Sequence, residues 1–363
     1  MEKKESRRLG VICFILAVCI LIPNMLMVSI AAEIESDKST QAGEDQNIGF
    51  SVRSILPESQ INQKASYYHL KVLPGELQEI ELEVSNTSRE EQTFIITANN
   101  ATTNSNGLII YTKNDIETHE SMKAPLESIA TVLNSEIIVP AGGTEIVKIH
   151  LSIPVGGIEG IVLGGLEISQ KEDGKVSEMG GMMIGNRYSY VIGIVLTQYE
   201  ELLLSDILDL ELLEIIPEIT NGRKILGAQF LNPEAQVKEE FEIYGTIRKA
   251  NSTAIVAERE LENVRVAPNS IFPFQLDWGM QEVQAGTYIF EAEIRTGQGI
   301  QTFSKEFVIE RQQAYELNEE TVFRVILPNW WKWAVISLSI VTLFVVGCLI
   351  KRTIKHSIKE GED

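Results

Sequence analysis

The chain has 363 residues, a formal net charge of −20, four histidines and only three cysteines, Cys13, Cys19 and Cys348. Each end carries a net +2, so residues 33–327 hold −24, a surface that repels nucleic acid and anionic lipid headgroups. All three cysteines lie in apolar stretches at the ends, which leaves the body without disulfides, thiol chemistry or a Cys metal site.

Residues 1–8 contain Lys3, Lys4, Arg7 and Arg8, and residues 9–32 contain no charge. A basic n-region before an apolar h-region reads as a secretory signal peptide, residues 1–32. Ser29, Ala31 and Ala32 supply the small side chains for cleavage after Ala31 or Ala32. An uncleaved anchor is the alternative, and Pro23 and Asn24 argue against it by interrupting the apolar run. Residues 33–47 are polar and read as a disordered linker.

Beyond residue 48 the pattern alternates at period two. Ile80, Leu82 and Val84 share one face of a strand and three glutamates the other. Residues 93–98 and 146–153 alternate likewise, and Pro74-Gly75, Asn106-Gly107, Gly142-Gly143, Asp173-Gly174 and Asn221-Gly222 punctuate the strands. The prediction is an all-β chain with two tandem immunoglobulin-like β-sandwich domains. The first spans 48–170. Residues 171–187 are either a linker or a long hairpin inside the first domain. The second spans 188–310, with strands at 188–197, 204–216, 224–231, 237–249, 271–278, 287–295 and 301–309.

Residues 311–332 read as a stalk. Residues 333–350 form 18 uncharged positions. At about 1.5 Å each they make a helix of roughly 27 Å, close to a bilayer core of about 30 Å, and read as one transmembrane helix. Trp330, Trp331 and Trp333 sit at its outer boundary, where amphipathic rings favour the headgroup layer. Lys351, Arg352, Lys355 and Lys359 follow, so residues 351–363 read as a cytoplasmic tail and the body lies outside the cell, facing the wall. Leu327-Pro328-Asn329 starts like a sortase signal, but Trp330 and Trp331 replace the scissile Thr–Gly pair, so the helix is expected to remain in the membrane.

Catalytic patterns are missing. There is no H-E-x-x-H, G-x-S-x-G, P-loop or dinucleotide fingerprint, and no histidine pair has metal-ligand spacing. The expectation is a non-enzymatic protein without cofactor or metal. Gly156-Gly157, Gly160 and Gly164-Gly165 fall at four-residue steps; strand residues with a close backbone approach are favoured over a membrane-helix packing face. Asn86, Asn100 and Asn251 begin glycosylation sequons, which carry no meaning on a bacterial surface.

The body resembles a known family. Gln60, Tyr67-Tyr68-x-Leu70, Pro74-Gly75, Asn86, the run from Asn100 to Gly107, Tyr111 and Gly164-Gly165-Leu166 are similar to the N-terminal domain of the WxL-interacting proteins of Gram-positive bacteria. Asn221-Gly222-Arg223, Asn232-Pro233, Ala267-Pro268-Asn269-Ser270, Phe274 and Gly286-x-Tyr288 are similar to their C-terminal domain. The match covers residues 48–310, with Tyr68 standing where Phe is expected. The resemblance implies a peptidoglycan-binding domain, a domain that binds host surface components, and work beside secreted proteins bearing the WxL wall-binding domain. The chain has no W-x-L triplet, so it reads as the membrane-anchored partner.

Candidate peptidoglycan contacts are Tyr67, Tyr68, Asn100, Thr102, Asn104, Asn106 and Tyr111, since glycan sites combine aromatic rings with amides and hydroxyls. Adjacent strand residues point to opposite faces, so one of Tyr67 and Tyr68 belongs to the core. The bland account of the Asn-rich run, a turn bonding its own backbone, is favoured over a site. Two other functions stay in view: a receptor that signals inward through another chain, since 13 residues beyond Ile350 leave no room for a signalling domain, and a wall hydrolase, which the missing catalytic pattern disfavours.

Overall fold

A computed structural model describes residues 49–113, 118–171, 188–199, 209–297, 299–322 and 330–359. The predicted signal peptide, the linker at 33–47, nearly all of 171–187 and the segment 323–329 lie outside the described residues.

The first domain is a sandwich. One sheet has the order β1 (Phe50–Ile55), β3 (Leu77–Asn86), β9 (Thr144–Ser152), β7 (Ala130–Val132). The other has the order β2 (Tyr68–Lys71), β11 (Ser189–Thr197), β10 (Ile161–Gln170), β4 (Gln92–Asn100), β8 (Glu136–Val139). Alternation does the sorting: Ile80, Leu82 and Val84 of β3 meet Phe94 and Ile96 of β4 and Leu166 and Ile168 of β10 in one buried cluster. A short helix, α1 (Leu126–Ile129), covers one flank, and a two-stranded ribbon, β5 (Thr102–Thr103) with β6 (Ile109–Ile110), leaves the sandwich towards the second domain.

The pairing of β11 corrects the expected boundary. Residues 188–197 were assigned to the second domain, yet β11 runs antiparallel to β10 and parallel to β2, and Ile194 and Leu196 lie in the first core. The two readings of 171–187 concern residues that, Lys171 apart, lie outside the described ones.

The second domain has seven strands among the described residues. One sheet is β12 (Glu211–Thr220), β13 (Arg223–Leu231), β16 (Ile271–Asp277); the other is β15 (Ile255–Val266), β14 (Lys238–Lys249), β17 (Gly286–Thr296), β18 (Gly299–Ile309). Every pair is antiparallel. Lettered in chain order, the sheets are A-B-E and D-C-F-G, an immunoglobulin-like arrangement with the fourth strand moved beside the third. Phe230, Phe272, Phe274 and Phe290 fill the space between them, with Phe230 within 6.4 Å of each of the other three rings.

The expected stalk is also corrected. Residues 311–320 form α2 (Arg311–Glu320), whose Ala314 and Leu317 are buried in the second core. Asn318 exchanges hydrogen bonds with the Val283 backbone, and beyond α2 the Val322 N–H and the Thr321 hydroxyl both donate to the Gly222 carbonyl. The chain is therefore part of the domain as far as Val322. A third helix, α3 (Trp330–Lys359), runs for 30 residues. Considering only the described residues, no helix is long and apolar enough to cross a membrane; in α3 the side chains at 331, 332, 334, 348–350 and beyond 351 lie outside them. Most of its described apolar side chains, among them Leu338, Leu343 and Phe344, are exposed.

Candidate functional site

The outer face of the β2-β11-β10-β4-β8 sheet carries a shallow site. Residues at odd positions of β10 and β11 point outward, and Gly165 of β10 stands directly across from Gly193 of β11. Two tyrosines use the space that these missing side chains leave. Tyr67 lies against Gly193, and Tyr111 lies so close to Gly165 that a Cβ there would sit 2.9 Å from the Tyr111 Cβ. Burial pushes the Tyr111 phenol up, Arg265 of the second domain draws it back down, and the neighbouring Tyr67 pushes it up again. The segment bearing Tyr111 is fixed from below: Asn99 Nδ2 donates to the Tyr111 carbonyl at 3.2 Å and to Glu167 Oε2 at 3.3 Å, and the Lys113 N–H donates to the same carboxylate at 3.1 Å. Tyr67, 37 % exposed, also borders a cleft of about 310 Å³ between β1 and β11, with Val52, Leu56 and Val191 in its walls.

The structure thus brings together two of the seven predicted contacts and disperses the rest. Tyr68 is fully buried, its hydroxyl donating to the Glu81 carbonyl at 2.6 Å while burial raises its pKa strongly, and it is a core residue. Asn100 is buried too, its Oδ1 accepting the Glu127 N–H at 3.2 Å and so holding α1. Asn104 is spent on its own turn, Oδ1 accepting from the N–H groups of Asn106 and Leu108. Thr102 is half-buried in β5. Asn106 turns away from the tyrosines and accepts a hydrogen bond from Arg259 Nη2 of the second domain at 2.8 Å.

That last contact belongs to a joint between the domains. Thr103 Oγ1 accepts the Ala267 N–H at 2.9 Å and lies 3.2 Å from Ser270 Oγ, all three groups buried. The Arg265 N–H donates to the Gly107 carbonyl, and the Ile161 N–H to the Ala235 carbonyl, both at 2.8 Å. Ile161 and Val195 of the first domain pack with Val237 of the second. Gly160 sits at φ 52° and a Cβ there would lie 2.2 Å from the Ala235 oxygen, so the approach demands glycine. Beside this joint is a cleft of about 280 Å³ flanked by Lys123 and Glu159 of the first domain and Pro268 of the second.

Sequence reasoning passed over Asn99, Glu167, Gly165 and Gly193 as site elements. The paired strand glycines were the available signal, and their close-approach reading holds for Gly160, Gly164 and Gly165. Asn86 and Asn232 pin matching loops: each donates its Nδ2 to backbone carbonyls at the end of its sandwich. Among the described residues no cluster of three or more His, Cys, Asp or Glu side chains could hold a metal ion.

Two joined β-sandwiches, the first with two tyrosines on its outer sheet face, are the architecture to compare with known proteins. Residues 50–170 match the peptidoglycan binding domain of the WxL Interacting Protein, and residues 179–319 its host binding domain. The chain belongs to the WxL-interacting protein family. The second match begins before β11, which pairs in the first sandwich, so the family boundary and the packing boundary differ. No curated protein matches the chain. Among solved structures, the chaperone–tip adhesin complex of CFA/I fimbriae is similar at 11 % identity over 71 % of this chain and 97 % of its own, with a TM-score of 0.28. The Pseudomonas aeruginosa CupB2 chaperone is similar at 15 % identity over 62 % and 91 %, with a TM-score of 0.25. A PapD-like domain of human CEP192 is similar at 11 % identity over 42 % and 87 %, also with a TM-score of 0.25.

Proposed function

We propose that the protein is a non-catalytic binding protein of the cell surface, anchored in the membrane, that engages peptidoglycan, WxL-domain surface proteins and host surface components. The observation that carries the wall-binding part is the pair of tyrosines over Gly165 and Gly193 in the domain that matches the peptidoglycan binding model. Aromatic faces suit the apolar faces of sugars, and Asn99 and Glu167 beneath them hold the Tyr111 segment in place. Asn104 and Asn106 are not part of this reading, because their side chains serve the turn and the joint.

Anchoring is supported by the 18 uncharged residues at 333–350, by the exposed apolar side chains along α3, and by the tryptophans and basic residues flanking them. The body then lies outside the cell, with a cleaved signal peptide at 1–32.

The test is muropeptide binding by the detergent-solubilised full chain, together with recovery of WxL-domain proteins on it. Tyr67→Ala and Tyr111→Ala should each lower muropeptide affinity, while Asn104→Ala should leave it unchanged. Undiminished affinity in the double tyrosine variant would remove the site.

A further inference from the structure

We infer that the free end of the second domain is a membrane-facing surface, held against the headgroup layer of the same bilayer that carries α3. The inference rests on the anchor reading above and adds to it an orientation and a partner, the lipid surface.

The argument begins with the two ends of the second sandwich. Its loops at 232–237 and 267–270 meet the first domain through Ala235, Ala267 and Ser270. The strand directions put the β12–β13 turn at Asn221-Gly222, the β14–β15 turn and the loop from Trp278 to β17 at the opposite end. The chain leaves the domain at that opposite end. Leu317 is buried in the core, and the Val322 N–H donates to the Gly222 carbonyl at 3.0 Å, so the last fixed point lies on the Asn221-Gly222 turn itself.

Only seven residues separate Val322 from the start of α3 at Trp330. Eight chain steps span at most about 28 Å even when fully extended. A stalk of the whole 311–332 stretch would have reached more than twice as far. With the chain fixed to the turn at Gly222, the domain can neither invert nor drift away. The 11 residues of β17 add about 36 Å of sandwich before the first domain begins. The host-binding domain is therefore the membrane-proximal one, and the tyrosine face of the first domain is carried outward on it. Proximity comes from chain length and not from charge, since the acidic body repels anionic headgroups. Met280, 62 % exposed, marks the end facing the lipid.

The experiment uses the full chain with its three cysteines replaced by serine, reconstituted in phosphatidylcholine vesicles. A donor dye is placed on Met280→Cys or, in a separate protein, on Ala141→Cys in the β8–β9 turn at the far end of the first domain. The acceptor is a headgroup-labelled lipid. Energy transfer from position 280 should exceed that from position 141 several-fold. Inserting a flexible Gly/Ser segment of about 20 residues after Val322 should reduce it, since such a segment adds roughly 25 Å of mean reach while leaving α2 docked. Equal transfer from both positions, or transfer unaffected by the insertion, overturns the inference. Vesicle flotation separates the two claims: a chain that floats but shows equal transfer is anchored without this orientation, and a chain that does not float refutes the anchor and the orientation together.

Discussion

Tyr111 packs over Gly165 with no room for a methyl group between them: a Cβ at 165 would lie 2.9 Å from the Tyr111 Cβ, 3.0 Å from Val191 Cγ1 and 3.2 Å from the Ile192 oxygen. The ring is thus seated by an absence in the strand beneath it. Gly165→Ala should cost about 1–3 kcal/mol of stability, the range for overpacking a well-filled site. It should also weaken muropeptide binding by displacing Tyr111. Thermal unfolding and a binding isotherm on the same preparation check both.

The joint between the domains should behave as a buried polar contact. Thr103→Val removes the acceptor for the Ala267 N–H and leaves Ser270 with one partner fewer. A buried donor left unsatisfied costs about 1–3 kcal/mol. Calorimetry should show a single joint transition for the native chain and two separate transitions for the variant.

His69 is buried, its Nε2 meets no hydrogen-bond partner among the described residues, and burial lowers its pKa. The unfolded imidazole takes up a proton below about 6.5. The folded one resists until lower pH, so the unfolded state binds more protons in between. Stability is full above that value and falls as pH drops from it towards the folded value. His69→Leu should flatten denaturant midpoints between pH 7 and pH 5; an unchanged slope would refute the assignment.

Acid should act next on the strand face of the first domain. Hydrogen bonds from Lys148 and then His150 hold Glu79 below the usual carboxylate range, and Arg53 does the same for Glu83 at 2.7 Å. Depressed carboxylates stabilise above their unfolded value of about 4.3, and the contribution is lost as pH falls through the folded one. Glu79→Gln with Glu83→Gln should therefore lose part of the midpoint shift seen between pH 5 and pH 3. Because these pairs are exposed, about 1 M salt should shrink it as well.

Period two made most of the fold legible. The faces of β3, β4 and β9 follow directly from their alternation, since one side of each strand must leave water. β15 was missed because its parity breaks. Ala257 is buried at an odd position, Val264 and Val266 at even ones, and Asn263 at φ 54° supplies the irregular residue between them. The strand at 189–197 is visible as a strand, but no local pattern says that its partners are β10 and β2 rather than β12. The rule that neighbouring residues face opposite ways separated Tyr67 from Tyr68 without saying which was inside. The Asn-rich run was read as a turn, and Asn104 behaves as one. Its second role could not be read locally, because the Arg259 that Asn106 meets is 153 residues away.

Load applied along the chain beyond Val322 does not enter the sandwich at once. It falls first on the bond from Val322 to Gly222 and on Leu317 in its socket, contacts that can open one after another while β18 keeps its full ladder with β17. Peeling α2 would convert a compact helix into extended chain and lengthen the tether before any strand is strained. The same segment should therefore yield first under tension and lengthen the tether, a step that force–extension measurements would resolve ahead of strand unfolding.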